Sequence, residues 1–396
     1  MNILIADKLS DSAVQALKTL GASVRFEPGL GADDLPDAIG DADVLIVRST
    51  KVTAAAIDAG STLSLIVRAG AGVNTIDLAQ ASARGIHVAN CPGKNADAVA
   101  ELAMGLIVAV DRRIADQTAD LRAGRWDKKG YGKAPGLKGR TLGIIGFGSI
   151  GRGVARRAAA FDMPVVAWSR SLTPERAEAE GVEFAASPRD VAEKADIVSL
   201  HLAAAPETRG LVDAEFLNAM KDGAMLINTS RGEIVDQQAL SEAIDRKGLR
   251  VALDVYADEP AAGDQEFAHT DLAAKITGTH HVGASTDQAS EAIAQETVRV
   301  VRTYKETGKP ANPVNAQDKS PAPFGLVVRH YNRVGVLAGV LDALREAGIN
   351  VEEMENAIFS GGTAAVCTLK LDDEPTAPVL DQIRGNPDVI QASLTA

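Results

Sequence analysis

The stretch "GIIGFGSIG" (Gly143–Gly151) decides the fold. An apolar run leads into the pattern G-x-G-x-x-G, and a helical pattern follows. Gly146 permits a tight turn, Gly148 lets a pyrophosphate approach the backbone, and Gly151 allows the helix to pack closely on the strand. The free N–H groups and the positive dipole end of such a helix favour phosphate groups. This context predicts a dinucleotide site and not merely a glycine-rich turn.

On both sides of this turn, short β-branched runs alternate with helical patterns, which predicts parallel sheets covered on both faces. Strands are expected at 2–6, 23–26, 44–49, 63–70 and 87–90, and again at "TLGIIGFG", "PVVAWSR", "IVSLHL", "AMLINTS" and "RVALDVYA". A helix is predicted after Ser10 or Asp11 as N-cap and before Gly21 as terminator. One long helix, from Asn95 to about Ala123, is expected to connect two lobes.

The last part of the chain has a different organisation. Residues 309–325 are rich in Pro and Ala without a period, which indicates a linker. The patterns after it predict a small βαββ-type module. The expected fold class is α/β, with two doubly wound parallel-sheet lobes and a small α+β domain at the C-terminal end.

Composition limits the classes of function. The chain has 396 residues, of which 46% are hydrophobic, and a formal charge of -12. That charge argues against a general nucleic-acid or anionic-membrane binder. Two cysteines are too few for a disulfide framework, and neither a signal peptide nor a membrane-spanning run is recognisable, so a cytoplasmic protein is expected. No metal site is predicted.

Polar side chains follow three successive strands after the glycine turn. Arg231 lies in "INTSRGEIVD", Asp254 and Glu259 lie in "LDVYADEP", and His280 and His281 lie in "ITGTHHVGAST". In open α/β sheets ligands bind beyond the carboxyl ends of the strands. An imidazole suits removal of a hydroxyl proton, a neighbouring carboxylate favours its protonated form, and an arginine grips a carboxylate with two hydrogen bonds.

These motifs resemble the D-2-hydroxyacid dehydrogenase family over residues 1 to about 315, and "LIVRSTKVT", "VRAGAGVNTIDL" and "GRWDKK" resemble its phosphoglycerate dehydrogenase branch. The resemblance implies that Arg231 orients a substrate carboxylate, Glu259 is the acidic partner, and His281 is the acid/base. His281 and not His280 is chosen because it stands two residues before Gly283. His280 occupies a position where the family usually has proline.

The resemblance also implies an NAD or NADP site. The expected contacts are Gly146, Gly148, Ser149, Ile150, Gly151, Ser169, Arg170, His201, Leu202, Thr229, Ser230, Asp254 and Gly283. Ser169 stands where NAD-preferring members carry Asp, and Ser169 with Arg170 favours acceptance of the NADP 2′-phosphate.

A phosphorylated and carboxylated substrate, 3-phospho-D-glycerate, is the expected substrate. The implied contacts are Arg48, Ser49, Lys51, Arg68, Gly70, Ala71, Gly72 and Asn74, and Lys128, Lys129 and Lys133 are possible additions from a neighbouring subunit. The implied domains are a substrate-binding domain over 1–94 and 282–315, a nucleotide domain over 95–281, a linker over 316–324 and a tail domain over 325–396.

The tail, "VVRHYNRVGVLAGVLDALREAGINVEEM" (327–354), resembles an ACT regulatory domain. The resemblance implies L-serine as a regulatory ligand of His330, Asn332 and Asn350, in a homo-oligomer (dimer or tetramer). An assembly module without a ligand is the alternative.

Three functions fit these patterns. The first is oxidation of 3-phosphoglycerate to 3-phosphohydroxypyruvate, the first step of serine synthesis. The second is an NADPH-dependent glyoxylate or hydroxypyruvate reductase, and the third is a nucleotide-sensing corepressor-like scaffold. The Arg–Glu–His set and the ACT-like tail favour the first.

Overall fold

The computed structural model describes residues 1–260, 266–317 and 320–395. Parts of three predicted regions lie outside these residues: 261–265 of the nucleotide domain, Asp318 and Lys319 of the linker, and Ala396 of the tail. The chain forms two compact units, Met1–Asn315 and Ala316–Ala396. In the part of the chain that is described, no helix has the length and apolar character needed to cross a membrane.

The first unit begins with a five-stranded parallel sheet in the order β2-β1-β3-β4-β5. Its strands and helices are β1 (Asn2–Ile5), α1 (Asp11–Thr19), β2 (Ser23–Phe26), α2 (Leu35–Ala38), β3 (Val44–Val47), α3 (Ala54–Ala59), β4 (Leu65–Arg68), α4 (Leu78–Ala83) and β5 (His87–Ala89). Ser10 is the N-cap of α1, because its hydroxyl accepts from the amide of Ala13.

A second parallel sheet follows, in the order β12-β11-β10-β9-β6-β7-β8. The elements of this lobe are α5 (Ala96–Arg112), α6 (Ile114–Arg122), α7 (Lys128–Tyr131), β6 (Leu142–Ile145), α8 (Ser149–Ala159), β7 (Val165–Trp168), α9 (Pro174–Ala179), β8 (Glu183–Phe184), α10 (Pro188–Lys194), β9 (Ile197–Leu200), α11 (Ala214–Ala219), β10 (Met225–Asn228), a 3-10 turn (Gly232–Ile234), α12 (Gln237–Lys247), β11 (Arg250–Leu253), α13 (Thr270–Ala273) and β12 (Thr277–Gly278).

Both parallel sheets are covered on both faces, which confirms the predicted fold class. In β1, Ile3 and Ile5 pack into one hydrophobic core of the first lobe, and Leu4 packs into the other. Successive side chains of a strand point to opposite faces, so a strand buried on both sides is apolar at every position. The two-residue strand β8 was not predicted, because such a short edge strand carries little pattern.

The chain then returns to the first lobe through α14 (Asp287–Thr307). Ile293, Ala294 and Val298 of α14 share a core with Val14 and Leu17 of α1. The first lobe is therefore built from both ends of the first unit.

The predicted single helix from Asn95 to about Ala123 is wrong. Arg113 adopts a left-handed conformation (φ 52°) and separates α5 from α6. The guanidinium of Arg250 donates to the carbonyl oxygens of Val110 and Asp111. These are the acceptors that residues 114 and 115 would need to continue the helix. Because α6 has no buried residue, no apolar face holds it in line with α5.

The prediction that residues 309–325 form a linker is wrong for its first part. Asn315 accepts from the amide of Val88 through Oδ1, and its Nδ2 donates to the carbonyl of Ile86, so this segment is bonded along β5. The prediction failed because these residues form hydrogen bonds to a strand that is distant in sequence. At its other end, the stretch runs into a strand that begins at Phe324.

The second unit is larger than the predicted βαββ module. Its elements are β13 (Phe324–Tyr331), α15 (Val336–Glu346), β14 (Val351–Ile358), β15 (Ala364–Leu371), α16 (Ala377–Arg384) and β16 (Val389–Thr395). They form an antiparallel sheet in the order β14-β15-β13-β16. The final helix and strand were missed because β16 is a half-exposed edge strand with a weak apolar signal.

A buried carboxylate ties α14 to the loops of the first lobe. Glu296 is only 5% exposed, and it accepts from Asn312 Nδ2 at 2.7 Å and from Arg299 Nε at 3.0 Å. Lys94 Nζ lies 3.3 Å from it. The bonds from Arg299, opposed by burial and assisted by Asn312 and Lys94, lower the pKa of Glu296 from 4.5 to about 2.

We predict that Glu296→Gln lowers the free energy of unfolding at pH 7 by about 2 kcal/mol, the usual contribution of hydrogen bonds to a charged group. A lowered pKa contributes stability above the unfolded value of 4.5, and this contribution disappears as pH falls towards 2. The difference in free energy of unfolding between variant and wild type, measured by urea titration, should therefore narrow as the pH falls from 4.5 towards 2. The exposed Glu306→Gln on the same helix is the control, and a difference independent of pH would contradict the assignment.

Candidate active site

The glycine turn lies between β6 and α8. In the sheet β6 has β7 on one side and β9 on the other, so strand order reverses at this point. Gly146 has a φ of 96°, and a Cβ there would collide with the carbonyl of His201. A Cβ at Gly151 would collide with the carbonyl of Gly146, whereas Gly148 faces open space. The turn thus leaves Ser149, Ile150 and the first amides of α8 free for a phosphate.

Two polar atoms beside the turn have no partner in the described residues. Thr229 Oγ1 and His201 Nδ1 are both buried without a hydrogen bond. The other ring nitrogen of His201 bonds to Ser199 at 2.9 Å, and burial lowers the pKa of His201 to about 3, so its ring is neutral at pH 7. Leu202 flanks Gly146, and Ser230 donates to Asn228. These free polar atoms and the open glycine turn fit a dinucleotide.

Ser169 follows β7 and lines a small cavity with Arg152 and Arg176, whereas Arg170 is exposed and lies outside the lining. Arg176 donates to the carbonyl of Ser171 at 3.2 Å. Sequence reasoning missed Arg152 and Arg176. Each is a basic residue near the start of a helix next to β7 in the chain: Arg152 lies in α8 and Arg176 in α9.

Asp254 holds the loop after β12, which contains His281, through hydrogen bonds. Its buried carboxylate accepts from Thr279 Oγ1 at 2.6 Å and from the amides of Val282 and Gly283 at 2.9 Å. Its carbonyl accepts from the amide of His281 at 2.8 Å. These four contacts hold the loop firmly, so Asp254 positions His281.

His281 and Glu259 form a hydrogen-bonded pair, with 2.7 Å between Nδ1 and Oε2. Glu259 also accepts from the amide of Tyr256. Burial opposes ionisation of Glu259, but the bonds from His281 and Tyr256 and the nearby charge of Arg231 lower its pKa. Nε2 of His281 makes no hydrogen bond within the described ranges. The neighbouring His280 is exposed.

Three arginines converge beside this pair. Burial and the charges of Arg231 and Arg48 lower the pKa of Arg68. The guanidinium of Arg68 folds over Gly70, and that of Arg231 fits against Gly72, so a side chain at either glycine would collide with it. Arg231 comes from the second lobe and the other two from the first, so cations of both lobes come together here. Repulsion among them favours a bound anion.

The remaining predicted substrate contacts differ in exposure. Asn90 Nδ2 donates to the carbonyl of Ala71 at 2.6 Å and holds the glycine turn of this lobe. Lys51 and Asn74 are exposed. Ser49 bonds to Asp7, a residue that sequence reasoning missed although it follows β1 as Arg48 follows β3.

The structure does not bring the three predicted tail residues together in one chain. His330 is buried, and its ring nitrogens bond to the carbonyl of Tyr331 and to Asn356. Asn332 donates to the carbonyl of Gly362. Asn350 lies at the opposite end of the sheet, where Val351 pairs with Leu371, about 20 Å away for strands of this length.

Comparison with known proteins gives the family. The model of the "D-isomer specific 2-hydroxyacid dehydrogenase, NAD binding domain" matches residues 104–283. The D-3-phosphoglycerate dehydrogenase of Methanocaldococcus jannaschii is 35% identical over 92% of this chain and 68% of its own length. This chain belongs to the D-isomer specific 2-hydroxyacid dehydrogenase family. It spans about two thirds of the length of that relative.

Two further relatives are informative. The hydroxypyruvate reductase of Thermotoga maritima is 38% identical over 77% of this chain and 97% of its own length. The NADPH-dependent glyoxylate/hydroxypyruvate reductase of Sinorhizobium meliloti was solved in complex with NADP and malonate. It superposes with a TM-score of 0.67 at 26% identity, covering 79% of this chain and 96% of its own.

We predict that Glu259→Gln lowers kcat for hydroxyacid oxidation by roughly tenfold or more, the effect of a lost charge-assisted bond. Nδ1 of His281 then no longer bonds to a charged group, so the imidazolium that forms when His281 takes the hydroxyl proton is less stabilised. The exposed neighbour Asp258→Asn is the control. An unchanged kcat would show that Glu259 does not act on His281.

Proposed function

We propose that this chain oxidises 3-phospho-D-glycerate to 3-phosphohydroxypyruvate, with hydride transfer to NAD or NADP, as in the first step of serine synthesis. The observation that supports this most is the meeting of Arg48, Arg68 and Arg231 beside the His281–Glu259 pair. A substrate with a phosphate and a carboxylate supplies the two anionic groups that such a cluster favours.

The reaction divides among these residues as follows. Arg231 holds the substrate carboxylate, and Nε2 of His281 takes the proton of the substrate hydroxyl. Glu259 stabilises the imidazolium that forms. As the O–H and C–H bonds break, the carbonyl forms, and NAD or NADP, when bound, would supply the acceptor for the hydride. The glycine turn and the first turn of α8 would hold the cofactor's pyrophosphate.

A hydroxypyruvate or glyoxylate reductase is the second candidate. The hydroxypyruvate reductase of T. maritima is matched over 97% of its own length by 77% of this chain. Such substrates carry a carboxylate without a phosphate, so Arg231 would be needed and Arg48 would not. The two candidates therefore differ in their dependence on the first-lobe arginines.

Initial rates on 3-phosphoglycerate, and on hydroxypyruvate and glyoxylate in the reverse direction, test the proposal with each cofactor. We expect 3-phosphoglycerate to have the highest kcat/KM and Arg48→Gln to lower it by roughly tenfold or more, the effect of a lost charge-assisted bond. His281→Ala should lower the rate by about 10²–10⁴-fold. A preference for hydroxypyruvate that survives Arg48→Gln would favour the reductase. Adding L-serine to the same assay tests regulation.

We also propose that the site accepts NADP. Ser169 lacks the negative charge that would repel a 2′-phosphate, and Arg152 and Arg176 line the same cavity. Glu180 is also in the lining and bonds to Arg152 at 3.5 Å, so a carboxylate is present for the hydroxyls of NAD.

Ser169→Asp should shift the ratio of kcat/KM for NADP over NAD by about tenfold or more towards NAD, because the new charge repels the phosphate. Ser169→Asn, a neutral residue of similar size, is the control. Equal changes in both variants would mean that charge at this position does not select the cofactor.

Serine regulation and a homo-oligomer stay predictions. His330 and Asn332 lie at one end of the tail sheet and Asn350 at the other. A ligand that contacts all three must therefore lie between two copies of the tail. In a two-fold pair, the end that carries His330 in one copy can face the end that carries Asn350 in the other.

A further inference from the structure

The chain holds the loop after β3 with an internal anion. Asp7 Oδ2 accepts from three consecutive backbone amides, those of Arg48, Ser49 and Thr50, at 2.7, 3.1 and 3.0 Å. Its Oδ1 accepts from the hydroxyl of Ser49 at 2.8 Å. A single carboxylate thus binds four donors of this loop, which we call the 48–50 loop.

Sheet topology explains why this contact forms. β1 lies between β2 and β3 in the sheet. Strand order reverses between β1 and β3, so the segments that follow these two strands lie in the crevice at that point. Asp7 comes after the end of β1, and Arg48 comes directly after β3. Ala6 still donates to Ile46 along the ladder, so the two strand ends are in register.

Successive backbone amides that point to one spot form an anion-binding concavity. In this loop the anion is already present, because burial of Asp7 is outweighed by the bonds from the amides of Arg48 and Thr50, and its pKa is lowered. The ionised carboxylate can only accept hydrogen bonds. The loop amides are therefore used within the chain.

The contact with Asp7 also determines whether the hydroxyl of Ser49 can donate a hydrogen bond to a substrate. A serine hydroxyl has one proton, and that of Ser49 goes to Asp7. A phosphate also needs donors, so Ser49 has none left for it. The sequence prediction had assigned Ser49 to the substrate.

We infer that Asp7 is a positioning residue of the substrate site: it holds the 48–50 loop so that Arg48 meets Arg68, and it leaves the substrate's distal anionic group to the side chains of these arginines. This inference rests on the proposed function, because it assigns Asp7 to the binding of a phosphorylated substrate. It predicts that Ser49 acts through Asp7 and does not touch the phosphate.

The test compares steady-state kinetics on 3-phosphoglycerate for wild type, Asp7→Ala, Asp7→Asn, Ser49→Ala and the exposed control Asp33→Ala. Asp7→Ala should raise KM by about tenfold or more, since four bonds to a charged group are lost, with kcat changed less than KM. Asp7→Asn keeps an acceptor and should recover part of the loss. Ser49→Ala should change KM by less than about threefold, because only one of the four bonds disappears.

Chemical rescue and amide exchange give readouts that do not depend on the substrate. Hydrogen exchange at residues 48–50 should be faster in Asp7→Ala than in wild type, and added acetate should slow it again by refilling the concavity. Acetate should also lower the raised KM of Asp7→Ala and leave Asp33→Ala unchanged.

The outcomes separate the two proposals. If wild type does not turn over 3-phosphoglycerate but exchange at 48–50 responds to Asp7→Ala and acetate, the loop-holding role stands and the proposed function fails. Unchanged exchange in Asp7→Ala, or a Ser49→Ala variant with a KM as high as that of Asp7→Ala, overturns the inference about Asp7.

Discussion

The candidate site depends on the buried carboxylate of Asp254 at the end of β11. It accepts three hydrogen bonds from the segment that follows β12, and its own carbonyl accepts the amide of His281. These bonds allow His281 to adopt a left-handed conformation (φ 53°), which costs energy for a residue other than glycine. Without Asp254, the imidazole would not be held opposite Glu259, and the amide of Gly283 would be buried without an acceptor.

Parallel topology explains how much of the site could be predicted. The carboxyl ends of parallel strands meet at one edge of a sheet, so Arg231, Glu259 and His281 could be placed together from their positions after successive strands. The glycine turn could be predicted because Gly146 and Gly151 have no room for a side chain, and Gly148 leaves the backbone open to a ligand. The three tail residues, in contrast, lie at opposite ends of an antiparallel sheet whose register no local pattern specifies.

Where prediction failed, the deciding contact came from a distant part of the sequence. The helix from Asn95 ends at Arg113 because Arg250 takes the carbonyl oxygens that its continuation needs. The Pro- and Ala-rich composition of 309–325 indicated a linker, although Asn315 bonds along β5. Asp7 was missed because its bonds to the 48–50 loop depend on β1 lying directly beside β3. Such contacts leave no periodicity in the local sequence.

The return of α14 to the first lobe has a mechanical consequence. The chain crosses between the lobes twice, once between β5 and α5 and once between β12 and α14. His281, Glu259 and Arg231 all belong to the second lobe, whereas Arg48 and Arg68 belong to the first. A hinge motion about the two crossings would carry the His281–Glu259 pair as one rigid piece and change only its separation from the first-lobe arginines. A ligand held by Arg231 and by the first-lobe arginines together would then favour closure of the lobes without changing the contact between His281 and Glu259.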